Sequence, residues 1–454
     1  MSRQAEFAFE QAGGDADLLT HLLERSDKVL VKKLSNNDRD WARFKNKHQA
    51  GVYIPHEQRD AGFFPALELK ERTDGKADEI RERYFLTDWP QVNETKKKTR
   101  LVNYRSKGQE THMTGLPKAS FSELLPASFL VMGRIGTTAD AIYECLTIDS
   151  ASYEADLLID LFGLSPDFLI GVFEPAERKK AELERILDFA DQVIAAWAKG
   201  KMAEFAGEHA VMPPTVELAR LARESFLQQH DLANINPFDM DAPGDALREI
   251  SRKIEWDIFR EHQRRERSVE LVRLVLGDEP KEVNASAVIR QLIDELPAID
   301  ALMLSASQQR KSRAGYSYEH HIEAMLTDGG IPFEKQVILA SKKRPDFVLP
   351  SLAYVDSKKA GSETGLILSA KTTLRERWKQ VEREKGSRQL FLTTVDENIA
   401  GNAIEDMASM GVSLVIPESL RKSKEAEYEG HKNVLSFREF CIDVVRPNLA
   451  AWAS

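Results

Sequence analysis

Apolar and polar positions fall into three regimes along the chain. From about residue 20 to 172, short apolar or alternating runs recur: KVLVKK at 28–33, GVYI at 51–54, RYFL at 83–86, FLVM at 129–132 and AIYECLT at 141–147. Turn formers such as SNND at 35–38 and Asp74-Gly75 separate them. Several short strands punctuated in this way predict a barrel or sandwich. From about 175 to 210 the period lengthens, with Leu183, Ile186, Leu187, Ala190 and Ile194 at helical spacing. Glu174-Pro175 offers a start, Gly200 interrupts late and Pro213-Pro214 marks a boundary, so a connector helix is predicted.

From about 212 onward, helices alternate with strands. Helices are predicted at 216–229, 246–267, 268–276 and 316–328, the last stopped by Gly329-Gly330. Strands are predicted at 337–339, 347–349, 366–368, 390–392 and 412–416, with a helix at 375–385 between two of them. This is the pattern of an α/β domain with a central mixed sheet. The expected organisation is an N-terminal extension (1–20), a mostly-β domain (21–174), a helical linker (175–211) and an α/β domain (212–454).

Composition narrows the class. The 454 residues fit two or three domains at about 150 residues each. Apolar residues make up 42% and charged residues 30%, an ordinary globular balance, and no apolar run of about 18 residues suggests a membrane span. Residues 1–14 carry Glu6 and Glu10 and lack the cationic start and apolar core of a secretory signal. Two cysteines, Cys145 and Cys441, make neither a disulfide framework nor a cysteine-based zinc site, so a reducing cytoplasm is expected. The net charge of −10 argues against loose coating of nucleic acid, but not against a specific binder with locally gathered cations. Such a gathering exists at 93–107, NETKKKTRLVNYRSK, with six basic residues against one acidic. Lys96, Lys98, Arg100, Tyr104 and Arg105 are its candidate DNA contacts, because clustered cations neutralise phosphates and arginine reads guanine bidentately. A solvated loop is the plainer reading of such a run.

The candidate chemistry lies in the last zone. SKKRPDFVLP at 341–350 sets Asp346 immediately before an apolar strand, and LILSA at 366–370 leads into Lys371. An aspartate and a lysine converging at a sheet edge supply what phosphodiester hydrolysis needs: a carboxylate for a divalent metal, and an ammonium that orients water and offsets phosphate charge. Glu384 on the following helix, seven residues after Arg377 and so on nearly the same face, is a candidate second carboxylate. Glu319 on the preceding helix is another. Each has a plainer reading. Pro-Asp is common, Glu384 is flanked by Arg383 and Lys385 as on a solvated face, and Glu319 fits a surface position. Arg310, Lys311 and Arg313 form a second cationic cluster suited to phosphates or bases, or to a helix-entry surface. His320 and His321 are adjacent, so they point to different helix faces and do not chelate. No zinc-protease, P-loop, dinucleotide-binding or nucleophile-elbow motif is present. Phe63-Phe64 reads as core.

The Asp346-to-Lys371 pattern resembles the PD-(D/E)XK nuclease superfamily, with Ser369 where an acid is usual. Taken with QQRKSRAGYSYEHHIEAML from 308, KKRPDFVLPSLAY from 342 and SAKTTLRERWKQVEREK from 369, the chain is similar to the catalytic domain of EcoRII-type restriction endonucleases. The likeness extends to RKIEWDIF (252–259) and GVSLVIPESL (411–420). It implies a Mg²⁺-dependent homodimer that cuts both strands of a short palindrome. Glu319, Asp346 and Lys371 match the family's catalytic positions, Glu384 its displaced carboxylate, and Arg377 and Tyr354 further active-site positions. The chain is one residue shorter between Asp346 and Tyr354. VKKLSNND (31–38) and HQAGVYIP (48–55) are similar to the start of the family's effector domain, a B3-like pseudobarrel. The resemblance implies that this domain binds a second copy of the double-stranded recognition site and relieves autoinhibition, and that a cognate DNA methyltransferase accompanies the enzyme. The basic run departs from the family's element, which carries an acid where this chain has Lys96-Lys97-Lys98. Two alternatives stand: another nuclease of the superfamily acting in repair or on junctions, and a DNA-binding protein with a decayed catalytic core.

Overall fold

The computed structural model describes residues 3–45, 51–70, 79–104, 108–136, 141–338, 344–356, 364–374 and 389–453; within these, side chains at 3–13, 182–183, 185–186 and 303–316 lie outside the description. The chain divides into two compact units. One comprises residues 1–181 with 397–401 and 423–429, and the other the rest. Among the described residues, no helix is long and apolar enough to cross a membrane.

The first unit is built on β1 (Lys28–Lys33), β2 (Val52–Ile54), β3 (Glu68–Leu69), β4 (Ile80–Trp89), β5 (Glu94–Tyr104), β6 (Thr111–Thr114), β7 (Phe129–Ile135), β8 (Ile142–Ile148) and β9 (Ile170–Phe173). They form one sheet in the order β2-β6-β5-β4-β8-β7-β1-β9, with β3 also beside β4. Of the described pairings only β4 with β8 is parallel. The continuous apolar run Val29-Leu30-Val31 fits the burial of β1 on both faces. Leu30 faces a core that includes Trp89, Phe63 and Phe121, while Val29 and Val31 face a second core with Leu19, Leu22 and Phe162. Phe63 and Phe64 are buried. Burying both faces draws the two lysines in with them. Lys32 Nζ lies 2.7 Å from the fully buried Asp38 carboxylate, and Lys33 Nζ lies 2.9 Å from Glu397. Asp38 also closes a capping box with Ser35 at the start of the Asn36–Arg43 helix. The SNND segment is therefore a helix start held by a buried ion pair. Gly51 enters β2 at φ +101°, where an added Cβ would meet the Met113 carbonyl oxygen at 2.0 Å.

The second unit carries a mixed sheet in the order of its strands: β10 (Glu334–Lys335), β11 (Phe347–Leu349), β12 (Leu366–Ala370), β13 (Gln389–Thr393), β14 (Val412–Ile416) and β15 (Val434–Ser436). The first three are antiparallel neighbours, and β12 to β15 run parallel. Burial on both faces accounts for the near-continuous apolar runs of β12 and β13. The strand expected at 337–339 falls earlier, at Glu334–Lys335. Gln336 takes a left-handed φ of 54° and ends it, donating its N–H to the Asp346 carbonyl. The helices expected at 246–267 and 268–276 are continuous across 267/268, since nothing there breaks the period. Pro243–Glu249 passes through a wider π turn, Ile250–Ile254, into Glu255–Leu276. The helix expected at 316–328 is the end of a longer one, Leu296–Asp328.

Candidate active site

Asp346 stands at the mouth of β11, where Pro345 restricts the backbone before Phe347, Val348 and Leu349 carry the chain into the core. Antiparallel pairing of Phe347 with Leu368 puts Asp346 across from Ser369, and Lys371 is the first residue past the fully buried β12. The two side chains meet. Asp346 Oδ2 accepts the Ala370 amide at 2.7 Å and the Lys371 ammonium at 2.7 Å. Lys371 is held from behind as well, its N–H donating to the Thr393 carbonyl at 3.0 Å. Both charged groups are part-buried, so water screens them less than a surface pair.

Glu319, half-buried on the Leu296–Asp328 helix, joins this pair electrostatically. Burial, and then the Asp346 carboxylate, push its carboxyl up to about 7, against the opposing pull of Lys371 and Lys335. A carboxyl whose proton affinity is raised beside a second carboxylate makes a site that favours a proton or a cation between them. An all-oxygen donor set suits a hard divalent ion. Among the described residues, no group of three or more histidine, cysteine or acidic side chains gathers to hold a metal. Glu319 and Asp346 supply a pair, and Glu384 and Arg377 lie outside the described residues. Tyr354 is on the short Leu352–Asp356 helix, its hydroxyl hydrogen-bonded with Thr364 Oγ1 at 2.9 Å. Arg310, Lys311 and Arg313 fall on the helix of Glu319, and their side chains are outside the description.

Residues 280–441, which contain all of these positions, match the family model described as EcoRII C terminal. Within curated relatives, the chain is 34% identical to the type II restriction enzyme EcoRII of Escherichia coli over 144 residues, 31% of this chain and 36% of the relative. It is 29% identical to the type II restriction enzyme SsoII of Shigella sonnei over 200 residues, 41% of this chain and 64% of the relative. The chain thus spans less than two thirds of either relative's length. A solved structure of metal-depleted Ecl18kI in complex with uncleaved, modified DNA aligns at 24% identity and a TM-score of 0.44, covering 54% of this chain and 83% of that chain.

Ser369, which faces Asp346 across the strands, is fully buried in β12. A carboxylate there would lose its hydration directly opposite Asp346, whereas a hydroxyl fits the strand at little cost. The sequence reading passed over Thr393 and Tyr318, which flank Lys371 and Glu319. Neither belongs to a recognisable spacing, and only the sheet brings Thr393 beside Lys371.

Within the basic run of the first unit, Glu94–Tyr104 form strand β5. Thr99 and Leu101 of β5 point into the core, so Lys98 and Arg100 lie on the outward face, paired across from Leu86 and Tyr84 of β4. Lys98 Nζ is 4.3 Å from the centroid of the exposed Tyr84 ring, a cation–π contact. Arg100 pairs with Glu82, and Lys97 with Glu94. Lys96 holds a left-handed φ of 48° and donates its N–H to Asp88 at 2.6 Å. Tyr104 closes the strand half-buried, and Arg105 lies outside the described residues. The outward face therefore combines cations with an aromatic ring, tempered by acids that the sequence alone did not pair with them.

Proposed function

We propose that the chain is a type II restriction endonuclease that hydrolyses phosphodiester bonds at a short specific site in double-stranded DNA with a divalent cation, Mg²⁺. The observation that carries this reading is the Asp346–Lys371 contact at the ends of β11 and β12, with the Glu319 carboxyl raised beside it, inside a segment that matches the EcoRII C-terminal family model. Asp346 and Glu319, with Glu384, hold the cation, which when bound supplies Lewis-acid polarisation of the scissile phosphate. Lys371 offsets phosphate charge and orients the attacking water. Arg377 stabilises the charge that develops on the phosphate, and Tyr354 belongs to the same site by resemblance. Arg310, Lys311 and Arg313 contact the DNA on the helix leading to Glu319.

The first unit is the DNA-binding module, a B3-like pseudobarrel. Its largely antiparallel sheet and its Lys96, Lys98, Arg100, Tyr104 and Arg105 strand support that role, with a second copy of the site as ligand. A homodimer places two active sites across the two strands, since a two-fold assembly matches a palindrome. A cognate DNA methyltransferase is the expected companion. The test is plasmid DNA with Mg²⁺, wild type against Lys371→Ala, with the ends mapped. Discrete fragments lost in the variant support the reading. Fragments that persist in the variant remove Lys371 from the chemistry, and DNA binding without any cutting points to a decayed core.

A further inference from the structure

The helix that carries Glu319 is fixed by buried polar contacts on both sides of that residue. Tyr318, fully buried, shares a hydrogen bond with Thr393 Oγ1 at 2.9 Å. Thr393 is the last residue of β13 and the register partner of Ala370, and its carbonyl takes the Lys371 amide. Glu319 is therefore the very next residue after the tether, and one hydrogen bond separates the tether from Lys371. On a neighbouring face of the helix, Ser317 Oγ and His321 Nε2 both reach the buried Glu255 carboxylate, the latter at 2.6 Å. Ser317 and His321 are four residues apart and share a face, Tyr318 is about 100° round from Ser317, and Glu319 is about 200° round, away from the clamp. Rotating or sliding this helix breaks at least one contact between groups that are buried from solvent.

We propose that Tyr318 and Thr393 are positioning residues that set how far Glu319 stands from Asp346 and Lys371, and so how tightly the carboxylate pair holds a divalent cation. Glu255 completes the arrangement as the clamp against rotation. This rests on the nuclease reading above, and the experiment separates the two. Mn²⁺ is titrated into the full-length protein, and the free ion is read by its paramagnetic resonance signal. The proteins compared are wild type, Glu319→Gln, Tyr318→Phe, Thr393→Val, the double variant and Thr393→Ser; a thermal melt of each checks folding. Tyr318→Phe and Thr393→Val are each expected to weaken Mn²⁺ about tenfold, the lower end of what outer partners of metal ligands contribute. The double variant is expected to be no worse than either single change, because both remove the same bond, and Thr393→Ser is expected to keep wild-type affinity. Wild-type affinity in folded Tyr318→Phe, or additive losses in the double variant, overturns the positioning role while leaving the metal site standing. Mn²⁺ binding that is absent in wild type, or unchanged in Glu319→Gln, overturns the metal site itself.

Discussion

Glu319→Gln should make the metal-free protein more stable at alkaline pH while impairing cutting. The wild-type carboxyl is raised from an ordinary 4.5 to about 7 by burial and by the neighbouring Asp346 charge. Below about pH 4.5 it is neutral folded and unfolded alike, and its full contribution to stability is present. As pH rises through about 7, the folded state has to hold a charge that the unfolded chain carries in water, and the contribution is lost. At about 1.4 kcal/mol per tenfold change in proton affinity, the loss is capped near about 3 kcal/mol. Solvent reaching a half-buried site reduces this to about 2 kcal/mol. Glutamine keeps the shape and never ionises. The stability gap between variant and wild type should therefore widen by about 2 kcal/mol between pH 5 and pH 8, or roughly 4–8 °C in the melting of a unit this large. Paired urea and thermal melts with chelator, at both pH values, measure it. A gap that is flat from pH 5 to pH 8 refutes the raised carboxyl. A variant that cuts DNA at the wild-type rate refutes Glu319 as a ligand.

Three further outcomes follow from the same contacts. Asp38→Ala leaves the Lys32 ammonium buried without its carboxylate and removes the Asp38 half of the capping box at the Asn36–Arg43 helix. Loss of a buried partner predicts about 3–5 kcal/mol of destabilisation, read by urea unfolding and expected in the first unit alone. Lys98→Ala should weaken binding to a fragment spanning a mapped cut and lower the slope of log affinity against log salt by about 1, while leaving the melt unchanged. An unaltered slope removes Lys98 from the phosphate contacts. Removing Mg²⁺ with chelator should stop cutting and restore it on readdition, and persistent cutting in chelator would show that the carboxylate pair serves another purpose.

The Asp346–Lys371 contact of the candidate site was legible because it is written locally. Asp346 directly precedes an apolar strand and Lys371 directly follows another, and consecutive residues keep that order whatever the rest of the chain does. The central mixed sheet of the second unit was legible for the same reason, since fully buried strands must be apolar along their length. Element ends were less so. Gln336 ended a strand by a backbone angle that no hydrophobic pattern records.

What the amino-acid order by itself determined was the β-rich and α/β regimes, the most apolar strands within them, and where a carboxylate and an ammonium stand at the ends of two of those strands. Tertiary structure alone decided the partners. The β11–β12 register set Asp346 on Lys371, and the sheet brought Thr393 of β13 to Tyr318, 75 positions away. Glu255 reached His321 across 66 positions, and Asp38 became the buried counterion of Lys32. Periodicity reports which face of an element is buried, because burial acts on each residue separately. A hydrogen bond or ion pair needs two particular atoms to meet, and between residues distant in the chain only the folded arrangement decides which atoms do.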